Sequence, residues 1–233
     1  MLKAELCVST LKGIEVAKKF QLDRIELCQD LENGGLTPSL GLMHTALENH
    51  LETHVLIRPR IGGFVYTETE KKLILREIEH CADLGVQGVV VGALTSENRI
   101  DSLFVRQMKE CAKNMEITFH RAFDFSNDWK EDLTLLINHE FDRILFSGLA
   151  HDVGSGMKNF QMVRDFCQHR IQLMAGGGVH QENIHQLVAL NCLDAVHFSG
   201  TQRLEPDFKT AFDASYLEVD EEKVSTLVSA IKH

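Results

Sequence analysis

The chain has 233 residues, of which 44% are hydrophobic and 25% are charged, so it contains enough apolar surface to fold and is expected to form one domain over residues 1–233. Its 24 basic and 34 acidic side chains give a formal charge of -10, which argues against a nucleic-acid-binding or anionic-membrane surface, because both need concentrated positive charge. No apolar run is long enough to span a bilayer, and the first residues carry no export signal, so we expect a cytoplasmic protein. The six cysteines show no CxxC pair, and we expect their thiols to be reduced.

Short β-branched runs alternate with longer amphipathic stretches along the chain. They predict eight strands, near residues 2–8, 24–28, 54–57, 88–92, 116–120, 143–146, 171–175 and 195–198. Successive strands begin about 28 residues apart, which is the length of one βα unit. Eight such units favour a closed (β/α)8 TIM-like barrel over a doubly wound open sheet, whose usual five or six strands would leave two units unplaced.

Three segments between the strands carry helix N-terminal signals. Thr37 precedes Pro38, which predicts a capping residue before a proline at the first helical position. Thr67 is followed three residues later by Glu70, the pattern of a capping box. Asp101 precedes apolar residues at helical spacing. Each of these positions is therefore predicted to begin a helix.

The last part of the chain is less regular. Residues 199–216 show no clear period, which predicts a long loop or an insertion after strand eight. Asp220 then opens a final helix that ends near Lys232, with charges placed to suit the helix dipole.

The first two strands end in the same three residues, Glu5-Leu6-Cys7 in one and Glu26-Leu27-Cys28 in the other. Side chains alternate along a strand, so each glutamate shares a face with its cysteine. The leucines then point towards the helices, which places both Glu–Cys pairs inside the barrel. Neighbouring strands lie about 4.8 Å apart, so the two sulfur atoms could approach each other if the register allows.

Polar side chains also end strands three, five and eight. They are Arg58, Arg60, His120 and His197. Active sites of TIM barrels lie at these carboxyl ends of the strands. Buried charges are costly unless they are paired, so one interpretation is a structural network in which the two arginines neutralise the two glutamates. The other interpretation is a ligand site.

The two cysteines also allow two interpretations. A thiol within a strand is commonly a small core side chain, which predicts packing alone. Thiolates also select Cu(I) over hard ions, and Cu(I) accepts few ligands, so Cys7 and Cys28 could suffice to bind it. Two cysteines alone would be a poor zinc site, because zinc takes four ligands or three with a water. Nearby Arg or protonated His would favour the thiolate, whereas Glu5 and Glu26 would oppose it.

A glycine run, Gly176, Gly177 and Gly178, follows strand seven, and Ser199 follows strand eight. Glycine-rich turns at this point bind phosphate in many TIM barrels through backbone N–H groups. Tight turns also use glycine simply because it tolerates positive φ. The run therefore predicts either an anion-binding site or a requirement of the turn.

These same segments resemble the copper homeostasis protein CutC family. The matching stretches occur in family order: ELCVS at 5–9, DRIELC at 23–28, GGLTPS at 34–39, IRPR at 57–60, TFHRAFD at 118–124, LFSG at 145–148, MAGGGV at 174–179 and HFS at 197–199. The resemblance implies a TIM-like barrel, a cytoplasmic location, a homodimer and a role in copper handling, with Cu(I) bound by Cys7 and Cys28. One family position differs, because the loop at 61–64 lacks the aspartate expected before Phe64.

Two hypotheses follow from the residues and the resemblance. The first is a cytoplasmic copper homeostasis protein that binds Cu(I) through the cysteine pair. The second is a TIM-barrel enzyme that acts on a small anionic or phosphorylated metabolite, with the glycine run and Ser199 holding the anion. The candidate catalytic residues of that enzyme are Glu26, Arg58, Arg60, His120 and His197.

Overall fold

Eight short parallel strands close into a barrel in sequence order, with β8 paired to β1. The computed structural model describes residues 2–206 and 215–232. The strands are β1 (Lys3–Val8), β2 (Arg24–Leu27), β3 (Thr53–Leu56), β4 (Gly88–Val91), β5 (Glu116–Phe119), β6 (Arg143–Phe146), β7 (Gln172–Ala175) and β8 (Ala195–Phe198). Every predicted strand is confirmed to within one residue at each end. The closed (β/α)8 architecture is confirmed too, and the doubly wound alternative is wrong.

Helices connect the strands and surround the barrel. They are α1 (Leu11–Lys19), α2 (Leu40–Glu48), α3 (Glu68–Leu84), α4 (Ser102–Ala112), α5 (Trp129–Asn138), α6 (Val153–Gly156), α7 (Phe160–Cys167), α8 (Ile184–Ala189) and α9 (Glu221–Lys232). The main core lies between the outward face of the strands and these helices, where Leu6, Ile25 and Phe104 are buried in one cluster. No helix in the described ranges is long and apolar enough to cross a membrane.

Two of the predicted helix starts are confirmed. The Thr67 side chain accepts a hydrogen bond from the Glu70 amide, and Glu70 Oε2 accepts one from the Thr67 amide at 2.7 Å, so the capping box before α3 is complete. Asp101 caps α4 by accepting from the amide of Phe104. In both cases the side chain satisfies a backbone donor that the first helical turn leaves without a partner.

The predicted start at Thr37 and Pro38 is wrong by two residues. Helix α2 begins after Ser39, whose hydroxyl accepts from the amide of Leu42. The Thr37 hydroxyl instead donates to Glu77 Oε2 at 2.6 Å and accepts from the Arg58 amide at 3.0 Å. Thr37 therefore links the end of β3 to α3, a tertiary role that outweighs its local capping preference.

The segment after β8 is an insertion, as the sequence predicts, and it contains an antiparallel two-stranded sheet. Strand β9 (Thr201–Leu204) pairs with β10 (Tyr216–Val219). Residues 207–214 of the predicted loop lie outside the described residues. The final helix α9 is confirmed, and Asp220 Oδ1 accepts from the amide of Glu222 at its start.

The capping box of α3 gives a stability prediction. We expect Thr67→Ala to lower the free energy of unfolding by about 1 kcal/mol, because the Glu70 amide loses its acceptor. Urea unfolding monitored by circular dichroism measures this change. The matched control is Thr134→Ala on α5, where the hydroxyl bonds only a carbonyl of its own helix, that of Lys130. A loss in the control as large as that in Thr67→Ala would contradict the assignment of the effect to the cap.

Candidate functional site

The two Glu-Leu-Cys repeats of β1 and β2 are staggered. The register pairs Glu5 with Arg24 and Cys7 with Glu26, so Cys28 lies two residues further towards the carboxyl end of the barrel. A stagger of this kind is what a closed barrel requires of its tilted strands. The inward face still brings the thiols together, because Cys7 Sγ and Cys28 Sγ are 3.6 Å apart and both residues are buried. Neither cysteine forms a disulfide.

His197 joins this pair from the end of β8. Its Nδ1 lies 2.7 Å from Glu5 Oε1, and its Nε2 lies 4.0 Å from Glu26 Oε1. Cys7 Sγ is 3.6 Å from the same Glu26 oxygen. Donor atoms of Cys7, Glu26 and His197 all lie within 4.8 Å of one another, so the geometry assembles sulfur, oxygen and nitrogen ligands at one point.

Arg24 balances the charge of Glu5. The Arg24 guanidinium forms a fully buried ion pair with the Glu5 carboxylate. The proposed network in which Arg58 and Arg60 neutralise Glu5 and Glu26 is therefore wrong. The sequence contained the signal, since Arg24 precedes Glu26 by two residues and so shares its inward face.

Arg58 and Arg60 contact different parts of the molecule. Arg58 is buried and donates from Nη1 to the carbonyl of Gly35 at 2.8 Å and from Nη2 to that of Gly62 at 3.0 Å, which ties two loops together. Arg60 has a side chain 38% exposed and pairs with Glu70. Both arginines lie beyond the last residue of β3, where the alternation of a strand no longer sets their directions.

His120 presents a donor to the same region from the end of β5. Its Nδ1 accepts a hydrogen bond from the Ala122 amide at 3.1 Å, so the neutral ring carries its proton on Nε2. His120 is 5% exposed, and Nε2 has no hydrogen-bond partner among the described residues. Burial, with the nearby charge of Arg58, lowers the pKa of this imidazole to about 3. His120 is therefore a neutral donor at physiological pH.

Packing and backbone conformation explain the glycine run, and two of its backbone amides have no backbone acceptor among the described residues. A Cβ at Gly176 would lie 2.6 Å from the Leu145 side chain, so that position is filled. Gly177 and Gly178 have positive φ angles of 96° and 79°, and a Cβ at Gly177 would lie 2.6 Å from the guanidinium of Arg121. The amides of Gly177 and Gly178 have no backbone acceptor within residues 2–206 and 215–232. The turn therefore requires glycine at these positions. It also leaves the amides of Gly177 and Gly178 without a backbone acceptor in the described residues, near the Arg121 guanidinium.

A cavity of about 810 Å³ opens at the carboxyl ends of the strands. The candidate residues that line it are Cys7, Glu26, Arg58, His120, Gly177, Gly178, His197 and Ser199. Cys28, Arg60 and Gly176 are absent from this lining. Three further wall residues, Arg121, Phe64 and Phe125, were not among the candidate site residues, because they lie in loops whose paths depend on tertiary contacts.

Electrostatics at the deep end of the cavity disfavour a free thiolate. A hydrogen bond with Cys28, burial and the charges of the two glutamates raise the pKa of the Cys7 thiol well above its usual value. Burial likewise raises the pKa of Glu26. Burial opposes protonation of His197, but the Glu26 charge and the hydrogen bond to Glu5 outweigh it and raise the pKa of the imidazole. At the Cys7 thiol, the hydrogen bond with Cys28, burial and the glutamates therefore prevail over the nearby cations.

Opposite the cavity, the interior of the barrel carries a second charged layer. Arg143 on β6 is buried and donates to Thr118 Oγ1 at 3.0 Å and to Glu116 Oε2 at 2.9 Å. His54 on β3 is also buried, and burial together with the positive charge of Arg24 lowers the pKa of its ring to about 3. Beneath the site the barrel therefore contains an arginine paired with a glutamate and a neutral buried histidine.

Neutral, buried His120 predicts a pH dependence of stability. The unfolded chain binds a proton at this residue near pH 6.5 and the folded chain only near pH 3, so stability falls as the pH drops below 6.5. Between pH 7.5 and pH 5 we expect the wild type to lose about 2 kcal/mol more than His120→Asn, whose amide oxygen can still accept from the Ala122 amide. Urea unfolding at the two pH values measures the difference. His44→Asn, an exposed replacement on α2, is the matched control and should follow the wild type. Equal losses in all three proteins would contradict a neutral His120.

Comparison with known proteins identifies a matching family model and similar sequences. A family model described as the CutC family matches residues 2–202. A CutC family protein from Glaesserella parasuis is 39% identical over 199 residues, covering 85% of this chain and 82% of the relative. One from Bacteroides fragilis is 36% identical over 203 residues, covering 86% of this chain and 81% of the relative.

Solved structures agree with the fold. A crystal structure of a CutC protein from Streptococcus agalactiae, to which copper homeostasis is attributed, superposes with a TM-score of 0.79 at 31% identity, covering 84% of this chain and 98% of the other. A phosphoribosylanthranilate isomerase from Thermotoga maritima gives a TM-score of 0.60 at 15% identity, covering 100% of this chain and 99% of the other. The second similarity shows the barrel fold alone.

Proposed function

The chain belongs to the CutC family, and on that premise we propose that it is a cytoplasmic copper homeostasis protein that binds Cu(I) between Cys7 and Cys28. The observation that carries the proposal is the pair of buried, reduced sulfur atoms 3.6 Å apart, of which the one on Cys7 lines the cavity. The Streptococcus agalactiae protein to which copper homeostasis is attributed supports the same role. We extend the proposal to a homodimer, which the family resemblance implies.

The chemistry of the pair suits a soft monovalent cargo. At a metal–sulfur distance of about 2.3 Å, two sulfurs on opposite sides of a two-coordinate ion lie about 4.6 Å apart, so the Cys7 and Cys28 sulfurs, which are 3.6 Å apart, would move about 1 Å further apart to bind it. Cu(I) accepts few ligands and prefers thiolates. Because the pKa of the Cys7 thiol is raised, Cu(I) must displace a proton there, and binding releases protons to solvent. The ion would enter through the cavity, where Cys7 is exposed to the interior space.

Anaerobic Cu(I) titration against a competing chelator tests the proposal. We expect the wild type to bind one equivalent, and Cys7→Ser/Cys28→Ser to lose affinity by at least 100-fold, because hydroxyls are poor ligands for Cu(I). The matched control is Cys111→Ser/Cys192→Ser, which removes two thiols elsewhere in the chain. Equal affinity in the wild type and both double variants would mean that Cys7 and Cys28 only pack in the core.

We also propose a second function, that of an enzyme acting on a small anionic or phosphorylated metabolite. The observation that favours it is His120 Nε2, which has no partner in the described part of the chain and lies in a cavity of about 810 Å³, far larger than an ion needs. The amides of Gly177 and Gly178 would hold the anion together with Ser199 and Arg121. The Arg121 guanidinium pairs with Asp124 through Nε and lies against Gly177.

Proton transfer in such an enzyme would fall to Glu26 or His120. Burial raises the pKa of Glu26, and a carboxyl with a raised pKa can donate a proton as well as accept one. His120 would donate from Nε2 to a developing negative charge. Arg58 would shape the wall through its loop contacts, and His197 would support Glu26. Arg60 lies outside the lining and would act only on the surrounding loop.

Thermal unfolding with inorganic phosphate and a panel of sugar phosphates tests this second function. A ligand at 100 times its dissociation constant stabilises by about 2.7 kcal/mol, which is a rise of about 5–10 °C in Tm for a chain of this size. We expect Arg121→Gln to abolish the rise and Arg60→Gln, the matched control outside the cavity, to keep it. A panel in which no compound raises Tm would count against an anionic substrate.

A further inference from the structure

We propose that Cys7, Glu26 and His197 form a divalent-metal centre, best suited to Zn²⁺, with one coordination position open to the cavity. This inference goes beyond copper handling, because it uses one thiol with a nitrogen and an oxygen donor in place of the thiol pair. It assigns to the chain a metal site of the kind that zinc enzymes use.

The distances between the three donors fit one zinc ion. Tetrahedral zinc with ordinary bond lengths places neighbouring donor atoms about 3.4–3.8 Å apart. Cys7 Sγ and Glu26 Oε1 are 3.6 Å apart, and Glu26 Oε1 and His197 Nε2 are 4.0 Å apart. All three donors lie within 4.8 Å of one another, so closure around an ion requires no donor–donor distance to shorten by more than about 1.2 Å.

His197 is held in the orientation that a metal ligand needs. Its Nδ1 is hydrogen-bonded to Glu5 at 2.7 Å, which leaves Nε2 directed towards Glu26. The Arg24 guanidinium forms a buried ion pair with the same carboxylate, which holds Glu5 in place as the acceptor. A carboxylate that accepts from the second ring nitrogen of a metal-binding histidine fixes its tautomer and raises its basicity.

Glu26 supplies a second reason to expect a cation. The residue is 5% exposed, and its Oε2 has no hydrogen-bond partner among the described residues. A buried carboxylate oxygen without a partner is costly. A divalent ion that the carboxylate binds through both oxygens would also satisfy Oε2, and one thiolate with one carboxylate would neutralise the charge of the ion.

The arrangement leaves room for a further ligand. All three proposed ligands line the cavity, whereas Cys28 is absent from its lining. Three protein ligands with a water in the fourth position are typical of catalytic zinc, whereas structural sites use four protein ligands. The open position faces the space that also contains His120 Nε2–H, so an anionic group on a small molecule could bind the metal and accept from that imidazole.

Zn²⁺ titration against a chromophoric chelator, and the visible spectrum with Co²⁺, test the inference on the full chain. We expect one equivalent of Zn²⁺ in the wild type and a thiolate-to-Co²⁺ charge-transfer band with the strong visible bands of four-coordinate Co²⁺. His197→Gln and Glu26→Gln should each weaken Zn²⁺ binding at least 100-fold. Cys28→Ser should change it less than threefold while abolishing tight Cu(I) binding. Circular dichroism of each variant confirms folding.

The outcomes separate this inference from the copper proposal. Loss of Zn²⁺ binding in Cys28→Ser to the same degree as in His197→Gln would overturn the three-donor centre, because the thiol pair would then bind the metal. A wild type that binds Cu(I) but no Zn²⁺ would overturn the inference and leave the copper proposal standing. A wild type that binds Zn²⁺ through His197 but takes up Cu(I) only weakly would support the inference and refute the copper proposal.

Discussion

The buried ion pair between Glu5 and Arg24 is the interaction on which the site depends. A carboxylate inside a barrel is unfavourable unless a cation and hydrogen bonds compensate for the lost hydration. Arg24 supplies the charge, and His197 supplies the hydrogen bond to the other carboxylate oxygen. Because Glu5 stays ionised, it directs His197 towards Glu26, and the sulfur, oxygen and nitrogen donors then meet at one point.

The inward and outward faces of the strands carry different kinds of side chain. Outward strand residues such as Leu6 and Ile25 pack against helices in the main apolar core, which stabilises the fold by removing hydrocarbon from water. The inward face instead carries paired charges in successive layers, with Arg143 and Glu116 beneath Arg24 and Glu5. Buried ion pairs add little net stability, but removing one partner is costly. The ion pairs inside the barrel therefore hold their side chains in place and add little to the free energy of unfolding.

The cavity combines two kinds of ligand environment. Around Cys7 and Cys28 the surroundings are thiol, carboxylate and imidazole, which suit metal ions. Across the cavity, His120 and the turn beside Arg121 offer neutral and cationic donors, which suit anions. Arg58 holds two loops of the wall together through backbone carbonyls. A single bound molecule could contact both environments, which is how the copper, metal-centre and metabolite proposals come to share one space.

The sequence by itself determined the eight strands, the starts of α3, α4 and α9, and the inward direction of Glu5, Cys7, Glu26 and Cys28. These features follow from periods of 2 and 3.6 residues and from capping residues, all of which act over a few neighbouring positions. Only the tertiary structure decided the register that sets Cys7 beside Glu26 and Arg24 beside Glu5. It also decided the separation of Arg58 from Arg60 and the use of Thr37 as a link instead of a cap. Register, loop path and long-range partners arise from closing the barrel, and a local pattern carries no information about contacts between segments that meet only when the chain has folded.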